Sequence, residues 1–357
     1  MMMSDSVPAP MEGKGAYNRS SRVQAAGLLP AIALFADAAR AVPLPSQQPV
    51  CVADYGASQG HNSLTPIAAA LEVIRARVGA HRSILVFHTD LASNDFSSLF
   101  ETLSADPDSY LRGDRAVFAA AVGRSYFEQI LPASSVTLGW SSWAIQWLSR
   151  TPAEIPDQVQ IAYSRDAAAR DTYARQAADD WRVFLRMRSR ELCPGGRLVV
   201  LTMATDDRGD FGYRPLLEAM YATLVKLVRD GLVREDESRK MAIPTVARTK
   251  AQFAAPFSDN GRFEDLSIEH LDVFHGDDRI FAEFEQNRDT RAYAAQWAAF
   301  SRASVFPTLA ATLDGGAADP RRSTFFDAME TGITERLARA PERMAIPLAK
   351  MTFVKAT

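Results

Sequence analysis

A chain of 357 residues with 47% hydrophobic and 23% charged content has ordinary globular composition, enough to bury one large core with an appended cap. Its formal net charge of −3 offers no basic field, so neither nucleic acid nor a membrane surface is expected as a partner. Cys51 and Cys193 have neither metal spacing nor the number for a disulfide framework, and no apolar run reaches the roughly 20 residues of a spanning helix; a reduced, cytoplasmic protein is expected.

Residues 1–15 read as a flexible N-terminus without the layout of a signal peptide. From Tyr17 to Arg40 the positions of Val23, Leu28, Ala31, Leu34 and Phe35 predict one helix, with a break at Gly27 and Pro30. Strand-like and helix-like segments then alternate: PVCVADYG, a helix from Thr65 to Val78, SILVFHTD, a short helix from Asn94, AVFAAAVG and SSVTLGWSS. Such alternation predicts a parallel sheet wrapped by helices. Arg165 to Leu192 carries Tyr173, Ala177, Trp181, Phe184 and Leu185 on one stripe, a long amphipathic helix that CPGG is expected to stop ahead of the strand RLVVLTMA. Beyond Thr205 the pattern loosens: Leu216 to Val233 reads helical and Met241 to Asp259 irregular, so 206–259 is read as a helical cap inserted into a core of 16–205 and 260–357. Strands return at SIEHLDVFHG and MAIPLAKMTFVKA, with helices near Arg291 to Ala303 and Phe325 to Ala338 between them.

The stretch VADYGASQGHNSL sits between an apolar strand and a helix whose cap is expected at Asn62 to Leu64. Its spacing, Asp54-x-Gly56-x-Ser58-x-Gly60, departs from the dinucleotide pattern G-x-G-x-x-G, and no lysine follows to make a P-loop, which disfavours an NAD-dependent oxidoreductase. An acid at the end of a strand suits a ligand with an ammonium group, and S-adenosylmethionine has one. Asp90, ending the next strand, is placed to accept from the two hydroxyls of its ribose. The plainer alternative is that Asp54 and Asp90 cap helices.

Several segments in order resemble the SABATH family of S-adenosylmethionine-dependent carboxyl methyltransferases. MEGKGAYNRSSRVQ is similar to its opening M-x-G-G-x-G…S-Y-A-x-N-S-x-x-Q, VADYGASQGHNSL to A-D-L-G-C-S-S-G-P-N-T, and HTDLASNDFSSLF to N-D-L-P-x-N-D-F-N-x-L-F. GRSYFEQILP resembles G-S-F-Y-x-R-L-F-P, and WSSWAIQWLSRTP resembles S-S-Y-S-L-H-W-L-S-x-x-P. The resemblance implies an α/β fold, a Rossmann-like class I methyltransferase sheet flanked by helices with an inserted, mostly helical cap. It implies S-adenosylmethionine as cofactor, a small-molecule carboxylic acid as substrate, and a homodimer. By position it assigns Ser21, Asp54 and Asn62 to the methionine end of the cofactor, Asp90 and Leu91 to the ribose, and Ser125 and Tyr126 to the adenine, with Tyr17 and Gly56 also on the cofactor. Tyr17 and Gln24 would lie on a lid over the site, and Gln24 and Trp147 would hold the substrate carboxylate.

A carboxylate is already ionised at neutral pH, so its direct attack on a sulfonium methyl needs positioning more than a base. Neutral donors such as the Gln24 amide and the Trp147 indole suit that task. Trp140 reads as core. His61, His81, His88, His270 and His275 show no metal-ligand spacing and read as structural, His61 beside the cofactor loop; no metal is expected. Trp143 replaces the tyrosine of S-S-Y-S, and Gln146 stands before Trp147, a polar handle for a second oxygen-bearing group on the substrate. Leu217, Ile243, Val246 and Phe306 complete an expected apolar pocket, suited to an aliphatic, terpenoid or modified aromatic acid more than to salicylate. Two alternatives stay open: N-methylation of a heterocycle of the xanthine type, and a non-catalytic relative that only binds S-adenosylmethionine.

Overall fold

A computed structural model describes residues 27–357. Its first helix, α1 (Leu29–Ala41), carries Pro30 in the first turn, where a missing N–H has no helical partner to lose. Proline therefore sits in the opening turn of this helix, directly after a turn at Gly27 and Leu28. The earlier part of the expected helix, with Tyr17, Ser21 and Gln24, lies outside the described residues.

The expected alternation follows: β1 (Val50–Tyr55), α2 (His61–Val78), β2 (Ile84–Asp90), α3 (Phe96–Ala105), β3 (Val117–Gly123), β4 (Val136–Ser142), α4 (Ala167–Glu191) and β5 (Leu192–Met203). All pairings among these five strands are parallel. CPGG does not separate α4 from β5. The strand begins at Leu192, and Cys193 to Gly196 form a bulge inside it, since Val136 pairs with Leu192 while Leu138 already pairs with Arg197. A proline that donates no ladder bond and Gly195 at φ +73° are tolerated in a strand at such a bulge.

Next come α5 (Arg214–Arg229), α6 (Glu235–Ser238), α7 (Lys250–Ala254), β6 (Arg262–Phe263) and β7 (Leu266–His275). Helices α8 (Arg279–Asn287), α9 (Thr290–Ser304), α10 (Phe306–Ala310) and α11 (Arg322–Leu337) stand between β7 and the last strand, β8 (Pro347–Lys355). The sheet order is β3-β2-β1-β4-β5-β8-β7-β6, and its last three strands run antiparallel to their neighbours. Helix α9 packs on α11 and α11 on α5, so the helical layer draws on 279–337 as well as on the 206–259 segment.

Strand side chains alternate between two buried faces, as a sheet covered on both sides requires. Val50 and Val52 join the core under α1 and α2, whereas Cys51, Ala53 and Tyr55 join Trp181, Phe184 and Leu185 of α4. Trp140 is fully buried against Phe35 of α1, ring centroids 4.8 Å apart, which bears out its reading as core. Among the described residues no helix is long and apolar enough to cross a membrane.

Candidate active site

Strand order reverses between β1 and β4, and in open α/β sheets ligands bind in the crevice beyond such a point. Residues after β1 form a tight turn with Gly56 and Gly60 at φ +88° and Ser58 at φ +49°. Gly60 caps α2 through its left-handed backbone, so the helix starts at His61, and Asn62 lies in its first turn and not before it. The turn is tied to the neighbouring strand end: Gly56 N and Ala57 N donate to Thr89 O at 2.8 and 3.0 Å.

Asp90 organises the same region. Its Oδ2 accepts from Ser58 N at 2.8 Å and its Oδ1 from Leu91 N at 2.8 Å, while Asn94 Nδ2 donates to Ser58 O at 2.8 Å. Leu91 is thus brought to Asp90, with its N–H committed to that carboxylate. Burial raises the Asp90 carboxyl to about 6, the two backbone N–H bonds acting against the shift and Asp54 adding to it. Ser58 Oγ and Asn62 Oδ1 are buried and bond to nothing among the described residues. Buried polar atoms are normally satisfied, so these two oxygens fit a polar ligand in the turn, as the methionine end of S-adenosylmethionine would be.

Asp54 is 1% exposed, and its Oδ2 lies 2.8 Å from His88 Nδ1. His88 Nε2 in turn lies 2.7 Å from the Tyr110 hydroxyl. His88, read as structural from the sequence, therefore buttresses the acid assigned to the cofactor ammonium; parallel register sets it directly across from Asp54. His61, expected beside the cofactor loop, is exposed and faces Asp106 at 3.2 Å, because the first turn of α2 directs it outward.

After β3, Ser125 and Tyr126 form a turn in which Glu128 N donates to Ser125 O at 2.9 Å. Fully buried Arg188 of α4 holds this turn, donating to Tyr126 O at 2.7 Å and Glu128 O at 2.8 Å while bonding Glu191. Glu191 also accepts from Tyr55 Oη at 2.7 Å and from Ile130 N and Leu131 N. A buried ion pair thus anchors the segment expected to meet adenine, and the amphipathic stripe of α4 gave no sign of it.

The turn expected to present the acceptor follows β4. Trp143 adopts φ +54° and its N–H donates to Leu201 O at 2.9 Å; Trp147 N donates to Ala144 O at 3.0 Å. Trp143, Gln146, Trp147, Leu217 and Ile243 line one cavity that is partly open to solvent. Met203, Phe211, Tyr213, Met220, Phe300 and Val305 also line it, residues the sequence reading did not select. Their signal was present only as the aromatics of DFGY, the apolar face of α5, the end of β5 and the end of α9.

Three pocket expectations change. Val246 packs with the Leu148 and Ile155 cluster, its N–H on Gln146 O, and does not line the cavity. Phe306 is fully buried against Phe325 and Phe326, because α10 turns it into the helical layer. Gln146 is not a spare polar handle: its Nε2 donates to Trp143 O at 2.6 Å and its Oε1 accepts from Thr202 Oγ1 at 3.0 Å.

Sheet order, acid-ended strands and the glycine turn define a Rossmann-like methyltransferase. Residues 7–351 match the model of the SAM dependent carboxyl methyltransferase family, and the chain belongs to that family. S-adenosylmethionine, expected from the sequence, is the cofactor of that family. The chain is 28% identical to methyltransferase FUS9 of Gibberella moniliformis over 242 residues, 67% of this chain and 64% of that protein. It is 27% identical to salicylate carboxymethyltransferase of Clarkia breweri over 234 residues, 63% of each chain. The matched region thus spans a little under two thirds of these relatives' lengths. The solved structure of loganic acid methyltransferase with SAH superposes with a TM-score of 0.77 at 19% identity, covering 98% of this chain and 99% of that one, a likeness of fold.

Proposed function

We propose that this protein transfers the methyl group of S-adenosylmethionine to the carboxylate of a small, largely apolar carboxylic acid. The observation that carries the reading is the cavity beside the cofactor turn: among the described residues none that lines it is Lys, Arg, His, Asp or Glu. An acid there is held by neutral donors, which leave its oxygen nucleophilic. When bound, the cofactor supplies an electrophilic methyl and a positive charge.

This chain's residues do the rest. Asp54 and Asn62 receive the methionine end, Asp90 accepts the ribose hydroxyls, and the Ser125–Tyr126 turn borders the adenine. Trp147, with Gln24 from outside the described segment, orients the acid. Charge is consumed when carboxylate and sulfonium combine, so the apolar wall of Phe211, Leu216, Leu217, Met220 and Phe300 favours the reaction by excluding water. Well-aligned reactants gain roughly 7–11 kcal/mol from orientation alone, which suffices without a general base.

The reading includes the division into a core and a helical cap, and a homodimer acting in the cytoplasm. Two unpaired cysteines support a reducing compartment, and burial pushes the Cys51 thiol up to about 12. The test is labelled S-adenosylmethionine with a library of carboxylic acids. An alkali-labile methyl ester from an apolar acid is expected; an alkali-stable N-methyl product, or salicylate as the best acceptor, overturns the reading.

A further inference from the structure

Two loops must keep register for methyl transfer: the turn after β1 that receives the cofactor and the turn after β4 that presents Trp147. Ala144 is where they touch. A Cβ placed on Gly56 would lie 2.4 Å from Ala144 Cβ, so the cofactor turn has no slack against the acceptor turn. Ala144 O accepts from Trp147 N at 3.0 Å, and a second donor reaches the same carbonyl from a third loop: Tyr126 Oη, also at 3.0 Å. That hydroxyl lies 3.5 Å from Trp147 O as well.

Tyr126 is itself fixed at its other end. Its carbonyl accepts from Arg188 Nη1 at 2.7 Å, and its ring packs edge-on against Phe127 and Phe184, centroids 4.7 and 6.0 Å away. With both lone pairs of Ala144 O engaged, the acceptor turn is closed by one bond from within and one from outside. The outer bond belongs to the residue that the sequence pattern assigns to adenine.

We propose that the Tyr126 hydroxyl is a positioning residue for the acceptor: it pins the turn carrying Trp143, Gln146 and Trp147 against the cofactor turn, and so sets where the acid's oxygen meets the methyl. This rests on the proposed methyl transfer, but its structural part is separable from it. The hydroxyl acts through Ala144 and touches neither reactant, whereas an adenine contact would act on cofactor affinity.

The decisive variant is Tyr126→Phe, which keeps the ring and its packing. Amide hydrogen exchange in the unliganded protein is expected to quicken about tenfold or more across residues 143–148, where Ala144 O, the acceptor of Trp147 N–H, is no longer held from outside the turn, and to stay unchanged across 50–55. Calorimetry with S-adenosylhomocysteine is expected to give a Kd within twofold of the parent, while kcat for the best acid falls or its KM rises by about tenfold. Unchanged exchange at 143–148 overturns the proposal, as does a Kd weakened fivefold or more with turnover of the saturated enzyme intact. If the parent binds S-adenosylhomocysteine but methylates no acid, the proposed function fails, while the exchange result still decides the role of Tyr126.

Discussion

His88 Nδ1 stands 2.8 Å from Asp54 Oδ2 in a part of the sheet where neither side chain meets solvent, and the far side of the ring is closed by Tyr110 at 2.7 Å. Both ring nitrogens of His88 thus have a hydrogen-bond partner. Replacement by leucine leaves both a buried carboxylate oxygen and a buried hydroxyl short of a partner. His88→Leu is expected to cost about 2–4 kcal/mol in urea unfolding and to weaken S-adenosylhomocysteine binding in calorimetry. An unaltered Kd would show that Asp54 needs no buttress.

Asp90 gives the pH dependence, and two measurements must move in opposite directions. Its carboxyl titrates near 6 in the folded protein, above the ordinary aspartate value, so the fold binds this proton more tightly than the unfolded chain. Its contribution to stability of the unliganded protein is therefore full below the unfolded value and is lost as pH rises through about 6. Ribose hydroxyls need the ionised form, so cofactor affinity should be flat above about pH 7 and fall roughly tenfold per unit below 6. Asp90→Asn should remove both trends; an affinity independent of pH in the parent would refute the ribose assignment.

Gly56 tests the contact between the two turns. Alanine there must adopt φ +88° and also meet Ala144 at 2.4 Å, so Gly56→Ala is expected to lose about 1–3 kcal/mol of stability and most cofactor binding. Ala144→Gly removes the steric part only. The double variant should recover some stability, read as coupling in a double-mutant cycle by thermal unfolding. Strict additivity would mean that the turns do not press on each other.

Trp147 is expected to affect transfer without affecting cofactor affinity. Trp147→Ala should lower kcat/KM for the acid about 100-fold, with S-adenosylhomocysteine binding within twofold. Gln24→Ala should behave alike. Turnover that survives both changes would move the carboxylate elsewhere in the cavity.

Leu217 lines the cavity and is expected to limit the size of the acceptor. Leu217→Trp narrows the cavity from the α5 side and should depress turnover of bulky apolar acids by about tenfold or more while favouring benzoate-sized ones. An unchanged acid preference would exclude this wall from specificity.

Much of this was legible before any coordinates. β1 opens as a continuous apolar run because both faces of a central parallel strand are covered, and the glycine turn and Asp90 follow where the strands β1 and β2 end. Local backbone preference likewise set the turn at Gly56 and Gly60. Where reading failed locally, at CPGG, the same residue types serve two purposes: Pro-Gly-Gly fits a bulge as well as a stop.

Pair contacts between distant segments were a different matter. Sequence order and residue type by themselves determined the sheet, its cofactor edge and the family, because those depend on periodicity and on short motifs that act within one turn. Only the tertiary structure decided that His88 meets Asp54, that Tyr126 reaches Ala144, that Gln146 is already engaged, and that Phe211, Met220 and Phe300 share a cavity with Trp147 while Val246 and Phe306 do not. Each of those outcomes turns on strand register or helix packing across many intervening residues, and a shift of one position would send the same side chain to the opposite face.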